Sequence, residues 1–296
     1  MPSKAHRISF LKYLAVLRPQ EWIKNGFVFV GILFANLWRE PNMIERVSVT
    51  ALAFSLTASG VYVLNDLLDR DQDRNHPRKR ERPIAAQHIA PRSALLLMTL
   101  LWFIGLGLGW IVGARVVLIL GMYIAINLAY SVAIRNIVIL DVFAIASGFM
   151  LRILAGTVGV GIPPSQWLLL CGLMIALFLG FSKRRAELYA STGDGDAHRP
   201  VLNSYHPVLL DKMIVVTATC VVVTYGLYTM SPVTMQTHGT EALIYTLPFV
   251  MYGIFRYMHS LHKQTSGTDP SREIFRDPHV LLSILGWLLV TLWLIS

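Results

Sequence analysis

Cysteine and charge are the two scarcities of this 296-residue chain, which has 2 Cys and only 15% charged residues. Cys171 and Cys220 both sit in apolar stretches. Two isolated thiols exclude a disulfide-stapled scaffold and read as packing residues. Soluble domains carry about 25% charge, so the shortage argues against a soluble enzyme. Disorder is excluded too, because 54% of residues are hydrophobic and the mean hydropathy is +0.54. Acids are scarcer than bases, 17 against 26 Lys+Arg, for a formal net charge of +9. A cleavable signal peptide is not expected, since no short apolar region ending in a small-residue site follows the basic start.

What the chain has instead is long apolar runs. A membrane-spanning helix needs about 20 mostly apolar residues. Windows of that length fall near 22–39, 46–64, 94–114, 116–134, 138–160, 166–182, 213–231, 241–258 and 279–296. The expectation is an all-α integral membrane protein, a nine-transmembrane-helix bundle forming a single polytopic domain over 1–296. The first window is weakened by Lys24 and Asn25. Gly105, Gly109 and Gly113 recur every four residues in the third, which points to close helix packing.

The basic surplus is one-sided. With a cytoplasmic N-terminus, only Arg39, Arg46 and Arg115 lie in outside loops and Arg152 lies within a span, leaving 22 of the 26 Lys+Arg inside. This asymmetry fits a multi-pass protein of the inner (cytoplasmic) membrane with its C-terminus outside. It explains the charge by the bilayer, so no nucleic-acid partner is implied. The long loops, at about 65–93, 183–212 and 256–278, are all cytoplasmic. Loops carry function when a rigid scaffold positions them, so the active face is expected there. A homo-oligomer is compatible with the sequence.

The most specific stretch is Asn65-Asp66-Leu67-Leu68-Asp69-Arg70-Asp71-Gln72-Asp73-Arg74, which continues the second window as a helix. At 100° per residue, with Asp66 at zero, Asp69 falls at about 300° and Asp73 at about 340°. Asp71 falls nearly opposite, at about 140°. Three like charges on one face repel one another and call for a cation. One answer is the neighbouring arginines at a solvated helix end. The other is Mg2+, which takes oxygen ligands and bridges carboxylates to substrate phosphates. Next comes His76-Pro77-Arg78-Lys79-Arg80-Glu81-Arg82-Pro83-Ile84. Its prolines break the helix, and its cations suit either anionic lipid or phosphate oxygens.

On these residues the chain resembles the UbiA superfamily of intramembrane prenyltransferases. Asn65, Asp66, Asp69 and Asp73 match its N-D-x-x-D-x-x-x-D motif, and the run ending Arg82-Pro83-Ile84 is also similar. The resemblance implies nine helices and metal ligation by Asp66, Asp69 and Asp73. One departure stands out. A second aspartate motif of the superfamily, D-x-x-x-D, is replaced here by Ser182-Lys183-Arg184-Arg185-Ala186-Glu187-Leu188.

The departure points within the superfamily. Leu17-Arg18-Pro19-Gln20-Glu21-Trp22-Ile23-Lys24-Asn25 is similar to the opening signature of decaprenyl-phosphate phosphoribosyltransferases. So are Tyr130-Ser131, Leu140-Asp141-Val142, Gly148-Phe149-Met150-Leu151-Arg152 with Ala155-Gly156, and Lys183-Arg184 with Ala186-Glu187-Leu188. The resemblance implies transfer of 5-phosphoribose from phosphoribosyl diphosphate (PRPP) to a polyprenyl phosphate, with Mg2+ as cofactor and diphosphate released. PRPP carries a second phosphate end, for which additional bases make chemical sense. The expected substrate-binding set is Lys24, Asn65, Arg78, Lys79, Arg82, Tyr130, Arg135, Arg152, Lys183, Arg184 and Glu187. Asp66, Asp69, Asp73 and Asp141 form the expected catalytic set, Asp141 as a stabiliser of an oxocarbenium-like ribose.

Arg152 stands about 16 Å beyond Asp141 along an ideal helix. An arginine at that depth needs a polar cavity or a partner, so it reads either as a structural ion pair or as a phosphate contact. Two other functions compete with phosphoribosyl transfer. A prenyltransferase acting on an aromatic acceptor predicts the second aspartate pair. A transporter predicts inverted repeats and broken spans and leaves the acidic face unexplained.

Overall fold

A computed structural model describes residues 12–75, 79–191, 200–263 and 277–295. Those residues are helical, with no strand among them. The α-helices in chain order are α1 Val30–Phe34, α2 Pro41–Leu68, α3 Arg70–Arg74, α4 Pro91–Val112, α5 Ala114–Val132, α6 Leu140–Ala155, α7 Gln166–Ser191, α8 Pro207–Thr229, α9 Pro232–His238, α10 Leu247–Lys263 and α11 Pro278–Ile295. Proline opens α2, α4, α8 and α9 within the first two positions. There its missing N–H would have had no helical partner and its φ is already helical.

Seven helices are long and apolar enough to cross a membrane: Pro41–Leu68, Pro91–Val112, Ala114–Val132, Leu140–Val160, Gln166–Tyr189, Pro207–Thr229 and Pro278–Ile295. The expected count of nine spans thus meets seven among the described residues. The first expected window instead forms a 3-10 stretch, Pro19–Phe29, followed by the five-residue α1. The eighth forms a short 3-10 turn, Ala242–Thr246, and the 17-residue α10. Phe103, Trp110, Ile111, Leu118, Leu289 and Trp293 stand exposed on the long helices. Apolar surface on that scale suits lipid rather than water, and the chain is a multi-pass membrane protein.

The chain forms two compact units. The first takes the described residues up to Val132 together with Leu151–Pro163. The second takes Ala133–Met150 and the described residues from Pro164 onward.

In the first unit α2 is the central element. Its Thr50, Ser55 and Thr57 hydroxyls donate to the carbonyls four residues back, at 2.7–2.8 Å. That satisfies polar groups without water, as a lipid-embedded helix requires. Small residues bring neighbours close. A Cβ on Gly60 would meet the Trp102 indole at 2.4 Å, and one on Gly105 would meet the Thr57 hydroxyl at 2.5 Å. Gly105 and Gly109 therefore serve packing, as their spacing predicts, while Gly113 caps the end of α4. One apolar cluster gathers Val28, Val47, Phe54, Leu120 and Ala155. Another gathers Val16, Val63, Ile84, Ile89 and Ala94.

In the second unit, Val142, Ala146, Phe178, Phe181, Tyr205, Ile214 and Tyr257 share a core. A Cβ on Gly180 would lie 2.7 Å from Val142, so α7 approaches α6 through a residue without a side chain. Asp277 opens α11 by accepting from the His279 and Val280 amides at 2.9 and 3.4 Å. This is the usual side-chain solution to unpaired amides at a helix start. Free of the membrane span, the Asp277 carboxyl is held down to about 2. Burial opposes this, and the bonds from Ser260, Arg256 and the two amides outweigh it.

Candidate active site

The acidic motif lies in the first unit and spans a joint. α2 ends at Leu68, Asp69 caps it, and α3 begins at Arg70. The amide ladder carries across, with Asp69 N–H donating to Asn65 O at 2.9 Å and Asp73 N–H to Asp69 O at 2.8 Å. Asp66 and Asp73 stay on one side and are buried, as the helical spacing predicts. Asp69, expected on the same face, lies at the break between the helices, half-buried, and the three do not gather into a metal cluster. Asp71 points elsewhere and pairs with Arg70 and Arg74 in solvent.

One cation joins the two buried acids. Arg82 Nη1 lies 3.1 Å from Asp66 Oδ1 and 2.8 Å from Asp73 Oδ2. Arg82 is fixed because the loop after it is anchored. Ile84, Ala85 and Ile89 are buried, the Pro83 carbonyl accepts from the His88 and Ile89 amides, and Arg74 Nε donates to Ala85 O. A second cation, Arg18, reaches Asp66 Oδ1 at 2.5 Å while lying 5.3 Å from the Tyr62 ring centroid. Arg18 has left-handed backbone, φ +50, immediately before Pro19. Asn65 is held by Ser131, whose Oγ donates to Asn65 Oδ1 at 2.7 Å.

Among the described residues no three His, Cys, Asp or Glu side chains form a metal cluster. The chemistry of the pair nevertheless fits a divalent ion. Two hard carboxylates already converge on one cationic nitrogen, and oxygen donors of this kind suit Mg2+.

Arg152 belongs to a second polar group of the first unit. Its Nε donates to Asn25 Oδ1 at 2.8 Å, and an Nη approaches Tyr123 Oη at 3.3 Å. Its guanidinium also lies 4.9 Å from the Phe54 ring centroid and 5.1 Å from that of Tyr123. Asn25 in turn donates to Ser55 at 2.8 Å. Lys24 pairs with Glu21 at 2.5 Å. Tyr130 and Lys79 are half-buried, and Arg78 lies outside the described residues.

The second unit holds Asp141, Arg184 and Glu187 together. Arg184 and Asp141 have no solvent exposure, and Nε donates to Oδ2 at 2.6 Å. Arg184 also pairs with Glu187, the residue whose i,i+4 spacing sets it beside Lys183. Tyr205 donates to Asp141 Oδ1 at 2.6 Å. Arg184, in the stretch that replaces the second aspartate motif, thus sits between two carboxylates. Lys183 and Arg135 are half-buried.

Sequence reasoning missed Arg18, Asn25, Ser131 and Tyr205 as parts of these groups. The first three lie inside stretches whose similarity was noted, so their signal was present. Tyr205 had none.

The UbiA prenyltransferase family model matches residues 26–277. The chain belongs to the UbiA prenyltransferase family. Among its relatives is the decaprenyl-phosphate phosphoribosyltransferase of Mycolicibacterium smegmatis, 32% identical over 286 residues, covering 93% of this chain and 89% of that protein. The protein of the same name from Mycobacterium tuberculosis is 31% identical over 276 residues, covering 92% and 90%. The fold of this UbiA family member is shared with a UbiA homolog from Archaeoglobus fulgidus solved bound to GPP and Mg2+. That match has a TM-score of 0.73 at 18% identity and covers 96% of this chain and 99% of that one.

Proposed function

We propose that this UbiA family member transfers 5-phosphoribose from PRPP to a polyprenyl phosphate and releases diphosphate. The carrying observation is the convergence of Asp66 and Asp73 on one cationic nitrogen at the end of an otherwise apolar helix. The one-third identity to named phosphoribosyltransferases over nearly the whole chain supports the choice of substrate.

Asp66, Asp69 and Asp73 are assigned to hold Mg2+, whose charge, when bound, neutralises the departing diphosphate. Arg18, Lys79 and Arg82 are assigned to phosphate oxygens, which guanidinium and ammonium groups bind by charge-assisted hydrogen bonds. Arg78, Lys24, Arg135, Lys183 and Tyr130 complete the proposed anion-binding set, with Asn65 orienting the acidic motif. Arg152 is assigned to the lipid phosphate.

A phosphate oxygen of the polyprenyl phosphate attacks the anomeric carbon, and the bond from that carbon to the diphosphate oxygen breaks. The nucleophile is already ionised near neutral pH, so no general base is needed. Positive charge develops on the ribose, and the Asp141 carboxylate is assigned to offset it, with Arg184 and Glu187 supporting. The active face is proposed to be cytoplasmic, in the inner membrane, as the basic loops imply.

The test is incubation of purified protein in detergent with radiolabelled PRPP, Mg2+ and polyprenyl phosphate. Label is expected in the lipid phase and is lost with EDTA or Asp69→Asn. Transfer only from a prenyl diphosphate to an aromatic acceptor would instead make the chain a prenyltransferase.

A further inference from the structure

The turn before α6 contains a conformation that L-residues avoid. Ile139 has φ +71, where a β-branched side chain crowds its own backbone. Strain of this kind persists only where surrounding contacts over-determine it, and it gathers at functional sites. The contact here is specific. Ile139 N–H donates to Tyr205 Oη at 2.7 Å, and the same hydroxyl donates to Asp141 Oδ1 at 2.6 Å.

We propose that Tyr205 is a positioning residue for phosphoribosyl transfer, fixing the Asp141 carboxylate by tying it to the strained Ile139 backbone. This rests on the transferase reading above and on the role given there to Asp141.

Asp141 Oδ2 takes Arg184 Nε at 2.6 Å, and Oδ1 takes the tyrosine. Each oxygen therefore has its own directional donor, and the carboxylate cannot rotate about its Cβ–Cγ bond without breaking one. The hydroxyl carries no charge, so it adds a directional donor without changing the charge of the group formed by Arg184, Asp141 and Glu187. A buried ion pair is in any case weak evidence for stability. What the hydroxyl adds is orientation, at the expense of left-handed backbone two residues before the acid. The ring of Tyr205 is buried in the core with Val142 and Phe181. Burial, and then the bond to Asp141, push its hydroxyl above the usual tyrosine value. It therefore stays protonated and remains a donor.

The experiment compares Tyr205→Phe with Asp141→Asn in detergent-solubilised full-length protein, measuring kcat, KM for PRPP and Tm. Tyr205→Phe is expected to lower kcat roughly 10- to 100-fold. KM should stay within about twofold, because the role assigned to Asp141 is in the transition state and not in PRPP binding. Tm should fall by only a few degrees, about what one lost hydrogen bond costs. Asp141→Asn should abolish transfer in a folded protein. If Asp141→Asn is inactive and Tyr205→Phe turns over normally, the positioning role is overturned while the role of Asp141 stands. If Asp141→Asn itself turns over normally, the role given to Asp141 fails, and the positioning role with it. A Tyr205→Phe protein that cannot be extracted folded, or whose loss lies in KM, also overturns positioning, because the hydroxyl then serves the fold or PRPP binding.

Discussion

Arg152 Nε donates to Asn25 Oδ1 at 2.8 Å, and both side chains are buried. The arginine sits in the last turn of α6, and its charge is met by an amide oxygen, a tyrosine hydroxyl and two ring faces. Polarisable and hydrogen-bonding groups of this kind lower the cost of a cation away from water. In the role proposed for it, the guanidinium would bind the lipid phosphate by charge-assisted hydrogen bonds. Arg152→Met should therefore cut transfer at least tenfold while the protein remains extractable and monodisperse by size exclusion. Turnover near the parent level would exclude a phosphate role and leave Arg152 as a fold element.

The acid pair predicts a link between metal and stability. With Arg82→Ala, Asp66 and Asp73 keep their burial and lose the cation between them. About 1–2 kcal/mol of stability should go, less than for a wholly buried pair because Arg82 is partly exposed. Added Mg2+ should restore it, so Tm should rise more with Mg2+ in Arg82→Ala than in the parent protein. The measurement is a thermal melt with and without Mg2+, in the absence of substrate. No Mg2+ shift in Arg82→Ala would show that the acids do not bind the ion.

Asp277 gives a pH signature. Its carboxyl is depressed to about 2 in the folded protein, against an ordinary 3.8. A depressed acid stabilises the fold above its unfolded value, and that stability is lost as pH falls through the folded one. The loss should therefore run from about pH 4 down to about pH 2 and amount to about 1 kcal/mol after solvent screening. Asp277→Asn keeps an oxygen for the helix cap and loses the charge facing Arg256. Its melting curve should be flatter than the parent's over that interval. Identical slopes would mean that Asp277 does not titrate there.

The sequence was most legible where one physical rule dominated. Apolar length located the seven long helices, because an uninterrupted run has few alternatives in a bilayer. The aspartate spacing put Asp66 and Asp73 on one side because helix periodicity fixes angles. The first window is the least regular of those expected, helical over Pro19–Phe29 and Val30–Phe34 but not as one long α-helix. Its polar residues are used internally, Trp22 on Ser59 and Asn25 on Ser55, and the backbone tightens to a 3-10 form. The partner of Arg184 was illegible for another reason. Asp141 lies 43 residues earlier, and only tertiary packing joins them. From spacing alone the lysine at 183 was as good a partner for Glu187 as the arginine at 184.

Gly156 offers the sharpest test of the fold. It follows Ala155 in a stretch resembling the phosphoribosyltransferases, and the structure supplies the physical reason for a glycine there. A Cβ at Gly156 would lie 1.7 Å from the carbonyl oxygen of Val28, and one at Gly31 would lie 2.4 Å from the carbonyl oxygen of Gly156. The obstacles are backbone atoms, which cannot swing aside as a side-chain tip can. Gly156→Ala must push apart the 3-10 stretch carrying Asn25 and the turn after α6 that follows Arg152. A cost of about 3 kcal/mol is expected, at the upper end of overpacking, with a clear fall in Tm. The Arg152–Asn25 bond should weaken with it, so transfer should drop even at temperatures where the variant is folded. A Gly156→Ala protein with parental Tm would mean that the two backbones do not make this close approach.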